Sequence, residues 1–313
     1  MSNVLYIVVP CFNEQDVLRE TAKRLHKKVI DLSNLKLISK KSKIIFVDDG
    51  STDDTWNLIE QLHAKSTSYG GLKLSKNRGH QNALLAGLEH VRDFADFAIS
   101  MDADLQDDID AVEMMIKAHL DGAEIVYGVR SSRQKDTLFK RLTAQGFYKL
   151  MSKMGVESIY NHADYRLMSR RALNELASFK EVNLFLRGII PLIGFETNIV
   201  EYERAERFAG ESKYPLRKML NFAIDGITSF SVKPLRLVTS LGITVSLISL
   251  VIMIYTLVAK LSGQTVSGWA FTIISVWFIG GVQMLSIGVV GEYIGKIYSE
   301  TKARPRYIIE KSI

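Results

Sequence analysis

One cysteine and five prolines in 313 residues leave little room for several familiar architectures. A lone Cys11 cannot close an internal disulfide, so nothing marks an oxidising compartment and no stapled mini-domain is in play. Scarce proline excludes a proline-rich linker, and no internal repeat or low-complexity stretch interrupts the chain. There is no GxxxxGK[ST] and no GxGxxG, so the P-loop and dinucleotide readings lack their glycine cradle. The six histidines never pair as HxxxH, and one cysteine cannot build a Cys-rich zinc site. The first ten residues have no basic n-region and no full apolar h-region, so no cleaved signal peptide is expected.

Charge is present but unevenly spread. Residues 233–313 carry eight Lys and Arg against three Glu, while the first 232 residues are almost balanced at 32 against 31. The excess of positive charge belongs to the C-terminal part and calls for no nucleic-acid partner. That part also holds two runs without any charge, Leu237 to Ala259 and Leu261 to Gly291. Each exceeds the roughly 20 residues that cross a bilayer core, and residues 248–258 of the first show no polar face at helical spacing. They predict a transmembrane hairpin over 233–296, with spans near 237–259 and 267–291. Lys233 and Arg236 precede the first span and Lys296, Lys302, Arg304 and Arg306 follow the second. By the positive-inside rule both ends of the hairpin face the cytoplasm, placing a multi-pass protein in the plasma membrane with a basic tail at 297–313.

The first 213 residues read as an α/β domain. Apolar runs at 5–9, 44–47, 72–74, 97–101 and 125–127 alternate with amphipathic stretches at 14–28, 53–64, 81–91 and 107–120, which is the pattern of a mostly parallel, Rossmann-like sheet. Between this domain and the hairpin, residues 214–232 place Leu216, Met219, Leu220, Ala223, Ile224 and Ile227 near i, i+3, i+4, i+7 spacing, as an interfacial helix would.

In such sheets, ligands gather beyond the carboxyl ends of the strands. Those positions here are acidic: Pro10-Cys11-Phe12-Asn13-Glu14 after the first strand, Asp48-Asp49-Gly50-Ser51 after the second, and Asp102-Ala103-Asp104-Leu105-Gln106 after the fourth. Asp102, Asp104 and Gln106 put three oxygen donors at alternate positions, suited to Mg²⁺ or Mn²⁺ bridging to a diphosphate. Asp53, Asp54, Asp107 and Asp108 stand where helices begin and are read as acids complementing helix N-termini. Arg130, Arg133, Lys135, Lys140 and Arg141 then form a basic segment, with Arg204, Arg207 and Lys213 further on. An acidic metal site facing arginines implies two phosphate-bearing substrates, one held through metal and one through guanidinium forks.

These motifs, with AsnArgGly at 77–79, AlaAspTyrArgLeu at 163–167 and ArgPheAlaGlyGluSerLysTyr at 207–214, resemble glycosyltransferase family 2. More narrowly the chain is similar to the polyprenyl-phosphate glycosyltransferases with two C-terminal membrane helices, the bactoprenol glucosyltransferases and relatives of dolichol-phosphate mannose synthase. The resemblance implies a GT-A fold and inverting, metal-dependent transfer of one sugar from a nucleotide-sugar to a membrane polyprenyl phosphate such as undecaprenyl phosphate. UDP-glucose and UDP-N-acetylglucosamine are the first donors implied, GDP-mannose the alternative; a non-catalytic membrane adaptor for a flippase is the reading from another class. Carried onto this sequence, Pro10, Asn13, Glu14, Asp48, Asp49 and Gly79 serve the nucleotide, and Asp102, Asp104 and Gln106 the metal. Arg130 and Arg141 grip the acceptor phosphate, Asp164 stands near the reacting centre, and Arg207, Ser212 and Lys213 close over the phosphates. Because an acceptor phosphate is largely a dianion at neutral pH, Asp164 is expected to position groups rather than act as a base. Glycines 280, 281, 288, 291 and 295 on the second span would permit a homo-oligomer.

Overall fold

A computed structural model describes residues 3–131, 162–203, 227–228, 231–262 and 268–313. Its centre is an eight-stranded sheet of order β7-β5-β6-β4-β1-β2-β3-β8. The strands are β1 (Leu5–Cys11), β2 (Lys43–Asp48), β3 (Tyr69–Leu74), β4 (Phe97–Ser100), β5 (Ile125–Arg130), β6 (His162–Ser169), β7 (Thr197–Tyr202) and β8 (Ile309–Ser312). Every residue of β1 is buried, which is why it reads as an unbroken apolar run. Successive side chains still serve different layers. Leu5, Ile7 and Val9 pack with α1 (Leu18–Asn34), α2 (Thr55–Lys65) and α4 (Ala111–Leu120). Tyr6 and Val8 pack with α3 (His80–Val91), α5 (Arg170–Leu176) and α6 (Leu186–Leu192).

The β4, β1, β2 and β3 strands are parallel, joined by crossover helices as expected. Two additions break the parallel pattern. β6 inserts antiparallel between β4 and β5, so that Asp164 is delivered beside the end of β4. β8 pairs antiparallel with β3, and Ile313 exchanges both backbone hydrogen bonds with Gly71. Residues 297–313, expected as a tail, therefore contain the end of a helix and an edge strand of the catalytic sheet. The expected starts of α1 and α4 also shift, to Leu18 and Ala111, leaving residues 12–17 and 101–110 as loops at the carboxyl edge.

The apolar C-terminal runs form α7 (Lys233–Leu261) and α8 (Trp269–Lys302). Both are long and apolar enough to cross a membrane, with mean hydropathies of 2.4 and 1.3 over their candidate spans. Nearly all of the 214–232 stretch lies outside the described residues, as do Arg133, Lys135, Lys140, Arg141, Arg204, Arg207, Ser212 and Lys213.

Candidate active site

A cleft of about 440 Å³ opens at the carboxyl ends of β1, β2 and β4. It gathers Pro10, Glu14, Asp49, Gly79, Asp102, Asp104, Gln106, Arg130 and Asp164, all named from the sequence. The loops that carry them are tied to one another. Asn13, at φ +55°, accepts the Thr52 N–H at 2.9 Å, and the Asn13 N–H donates to Ser51 Oγ at 3.0 Å. Asp48 is fully buried and accepts the Ser51 N–H at 3.2 Å. The exposed Asn13 thus ties the β1 and β2 loops together, while the buried Asp48 braces the β2 loop from within; neither lines the cleft. Gly50 permits this crossing: its φ is +67°, and a Cβ there would come within 2.6 Å of the Lys76–Asn77 backbone.

Asp49 takes the N–H groups of Arg78 at 2.7 Å and Gly79 at 2.8 Å, one on each carboxylate oxygen. Burial raises its pKa against these two bonds, which lower it. It clamps the loop after β3 across the cleft floor.

Asp102 and Asp104 stand on a loop that Leu105 turns at φ +58°. Asp104 Oδ1 accepts the Gln106 N–H at 3.1 Å. Burial, with the nearby charges of Asp107, Asp164 and Asp104, pushes the Asp102 pKa up to about 6 in spite of His80. Carboxylates gathered this closely favour a bound cation. Among the described residues no three His, Cys, Asp or Glu side chains form a ready metal cage. Two carboxylates and an amide do fit an ion such as Mg²⁺, which leaves several positions to water and substrate phosphate.

Asp107 departs from the expected helix-start role. It is buried, accepts hydrogen bonds from the Tyr202 hydroxyl and from Arg130 at 3.3 Å, and so locks Arg130 to the cleft wall. Burial lowers the Arg130 pKa, but Tyr202 and Asp107 outweigh it and raise the net value.

Three residues around Asp164 have no role assigned from the sequence: His80 and Arg187, and Arg166, which stands in the AlaAspTyrArgLeu motif. Asp164 accepts from Arg166 at 2.6 Å and from two nitrogens of Arg187, both at 3.2 Å. His80 Nε2 lies 3.6 Å from Asp164 and 3.5 Å from Asp102, bridging the two acids. Burial alone would raise the Asp164 pKa, yet Arg187, His80 and Arg166 hold it well below the ordinary carboxylate range. Burial lowers and the two acids raise His80, with a net upward shift. Cys11 also touches the cleft, where burial and the surrounding carboxylates push its thiol well up and disfavour the thiolate.

The sequence profile described as Glycosyl transferase family 2 matches residues 6–177, more than half of the chain. The chain belongs to glycosyltransferase family 2. It is therefore a glycosyltransferase, and its sheet is the GT-A core of that family. Residues 233–297 match a second profile, the GtrB C-terminal hairpin. The chain is 56% identical to an uncharacterized glycosyltransferase, YkoT, of Bacillus subtilis, over 98% of this chain and 91% of that one. It is 41% identical to an SfII prophage-derived bactoprenol glucosyl transferase of Shigella flexneri, over 98% of this chain and 97% of that one. It is 40% identical to a prophage bactoprenol glucosyl transferase homolog of Escherichia coli, over 97% and 98% respectively. Among solved structures, a Pyrobaculum calidifontis mannosyltransferase is 15% identical, with a TM-score of 0.45 over 97% of this chain and 87% of that one.

Proposed function

We propose that this glycosyltransferase moves one glucosyl residue from UDP-glucose to undecaprenyl phosphate at the cytoplasmic face of the membrane, inverting the anomeric centre and requiring Mg²⁺ or Mn²⁺. The observation that carries the reading is the acidic cleft, with Asp102, Asp104 and Gln106 on one wall and Arg130 on another, in a chain similar along its whole length to bactoprenol glucosyl transferases. The two apolar helices support a lipid acceptor and membrane residence.

In the transfer, an acceptor phosphate oxygen bonds to the anomeric carbon while the bond from that carbon to the UDP oxygen breaks, its electron pair leaving on UDP. The acceptor is a phosphate monoester whose second pKa is near 6, so at neutral pH it attacks largely as the dianion. No strong protein base is needed. Asp164 suits that requirement: a carboxylate held well below its ordinary range by Arg187, His80 and Arg166 is a poor proton acceptor and a firm anchor. It orients Arg187, which lines the cleft, and His80, which faces Asp102. Arg130, braced by Asp107 and Tyr202, presents a fixed positive charge suited to the acceptor phosphate. Asp49 holds the 77–79 loop against the nucleotide side. A divalent ion held by Asp102, Asp104 and Gln106 would supply neutralisation of the charge gathering on the departing diphosphate.

The test is transfer by the purified full-length protein in detergent with undecaprenyl phosphate, Mn²⁺ and labelled UDP-glucose, UDP-N-acetylglucosamine or GDP-mannose. Chloroform-soluble label from UDP-glucose is expected, with a loss of at least 100-fold, on the order of a lost charge-stabilising group, in Asp104→Asn. Label from GDP-mannose alone would replace the donor assignment. No label from any donor with folded protein would overturn the proposal.

A further inference from the structure

A second cavity, of about 290 Å³, lies where the end of α8 meets the catalytic domain. It shares no lining residue with the donor cleft. Its walls bring together Arg78, Lys302, Arg304 and Arg306, with Tyr298 and Asn82. Arg306 is neutralised, bound to Glu89 at 2.8 Å. The other three have no carboxylate partner among the described residues. The Lys302 ammonium lies 4.9 Å from the centre of the Tyr298 ring, which steers it without cancelling its charge. Arg78 is half-buried, and its Nε is buried without a hydrogen-bond partner.

Three like charges around one cavity repel, and the buried Arg78 Nε–H, left without an acceptor, costs free energy. Such an arrangement is stable when an anion completes it. Guanidinium forks match phosphate oxygens, and basic pockets at the cytoplasmic ends of membrane helices are suited to lipid headgroups. The place of the cavity names the source of the phosphate. On α8, Ile287, Gly291, Ile294, Tyr298 and Lys302 fall at i, i+4, i+7, i+11 and i+15, one continuous face. Ile287, Ile294 and Tyr298 on that face are exposed. The face runs from the apolar part of the helix directly to the cations, giving an acyl chain a track and its headgroup an end point.

We propose that this cavity holds the phosphate-ester headgroup of an anionic bilayer lipid, with an acyl chain along the Ile287–Tyr298 face. The proposal rests on reading α8 as membrane-crossing. The Arg78 side chain would serve the lipid while its backbone N–H serves Asp49, so an occupied cavity would order the 77–79 loop beside the donor.

The experiment is native mass spectrometry of the full-length protein in neutral detergent, titrated with phosphatidylglycerol or phosphatidylcholine. Wild type is expected to retain one phosphatidylglycerol per chain in preference to phosphatidylcholine. Lys302→Gln/Arg304→Gln is expected to weaken that binding at least fivefold. Both side chains are exposed, circular dichroism checks the fold, and Arg304→Gln alone serves if the pair is unstable. Equal retention of the two lipids, or equal binding by the variant, would overturn the proposal. So would displacement by millimolar inorganic phosphate, which would make the occupant a soluble anion, or by stoichiometric undecaprenyl phosphate, which would make it the acceptor. Membrane fractionation of the wild type separates the two readings: a chain absent from membranes defeats the membrane reading, whereas a membrane-bound chain without selective retention defeats only this one.

Discussion

Asp102 shows how burial and neighbouring carboxylates act on a single residue. Its pKa of about 6 stands above the ordinary carboxylate value near 3.9, so the folded protein binds that proton more tightly than the unfolded chain. Between about pH 4 and pH 6 the folded state therefore holds the extra proton, and Asp102 makes the metal-free protein less stable as pH rises through that window. Asp164 has the opposite sign: its depressed pKa stabilises the fold above the ordinary value and is lost only in stronger acid. The Asp102 side chain is 34% exposed, and with solvent screening the cost at pH 7 is on the order of 1 kcal/mol. Asp102→Asn is expected to abolish transfer yet raise the melting midpoint of the metal-free protein at pH 7 by about 2 °C, with the difference vanishing near pH 4. A lower midpoint at pH 7 would contradict the account. Asp102, Asp104 and Gln106 were legible because they sit together after one apolar run. His80 and Arg187 were not, since each is ordinary in its own stretch, and Arg166 was visible only as a letter of the AlaAspTyrArgLeu motif, its role appearing once β6 and α6 bring both arginines to the acid that His80 also faces.

At the scale of elements, the hidden parts are those whose strands lack an apolar run. β6 (HADYRLMS) and β8 (IEKS) are mixed in polarity, and both pair antiparallel, so neither fits the alternation that announced β1 to β5. Together with the end of α8 they staple the C-terminus to the site. Glu300 accepts the N–H groups of Val182 and Asn183, both at 2.8 Å, at the start of the segment leading into α6 and Arg187. Gln81, in the first turn of α3, accepts the Leu186 N–H at 2.8 Å, and Arg306 and Tyr307 both bind Glu89 further along α3. Glu300 thus anchors the backbone that leads to Arg187 and is expected to act as a positioning residue for it. Glu300→Ala would leave two backbone donors unpaired, a loss of about 1–3 kcal/mol. Its expected signature is a lower melting midpoint together with a fall in kcat larger than any change in the KM for the donor. Glu300→Gln, which keeps an acceptor for one N–H, should recover part of the kcat; a variant with unchanged kcat would remove Glu300 from the positioning role.

At the scale of the whole molecule, the proposed transfer from a cytoplasmic donor to a membrane lipid demands one orientation. Lys233 and Arg236, in the first turn of α7, and the four basic residues from Lys296 to Arg306 lie at one end of the hairpin, while its turn has only Lys260 at its edge. The same side must hold the sheet, because β8 and Glu300 tie the end of α8 to the catalytic domain. The basic residues are thus expected to set the side of the membrane, and the tertiary structure puts the sheet at that same end of the hairpin, which makes the orientation testable without altering the site. Cys11 is buried and its thiol pKa is pushed well up, so the native chain should be silent to maleimide and serve as its own cysteine-free background. Ser262 and Lys302 mark the two ends, both exposed. In intact cells a membrane-impermeant maleimide is expected to label Ser262→Cys, and to reach Lys302→Cys only after permeabilisation. The reverse pattern would put the cleft on the side of the membrane that lacks nucleotide-sugars, and the assignment of donor and acceptor would fall with it. Labelling of both positions in intact cells would instead mean that α7 and α8 do not form a closed span, and the acceptor would have to reach the cleft from a peripherally bound protein.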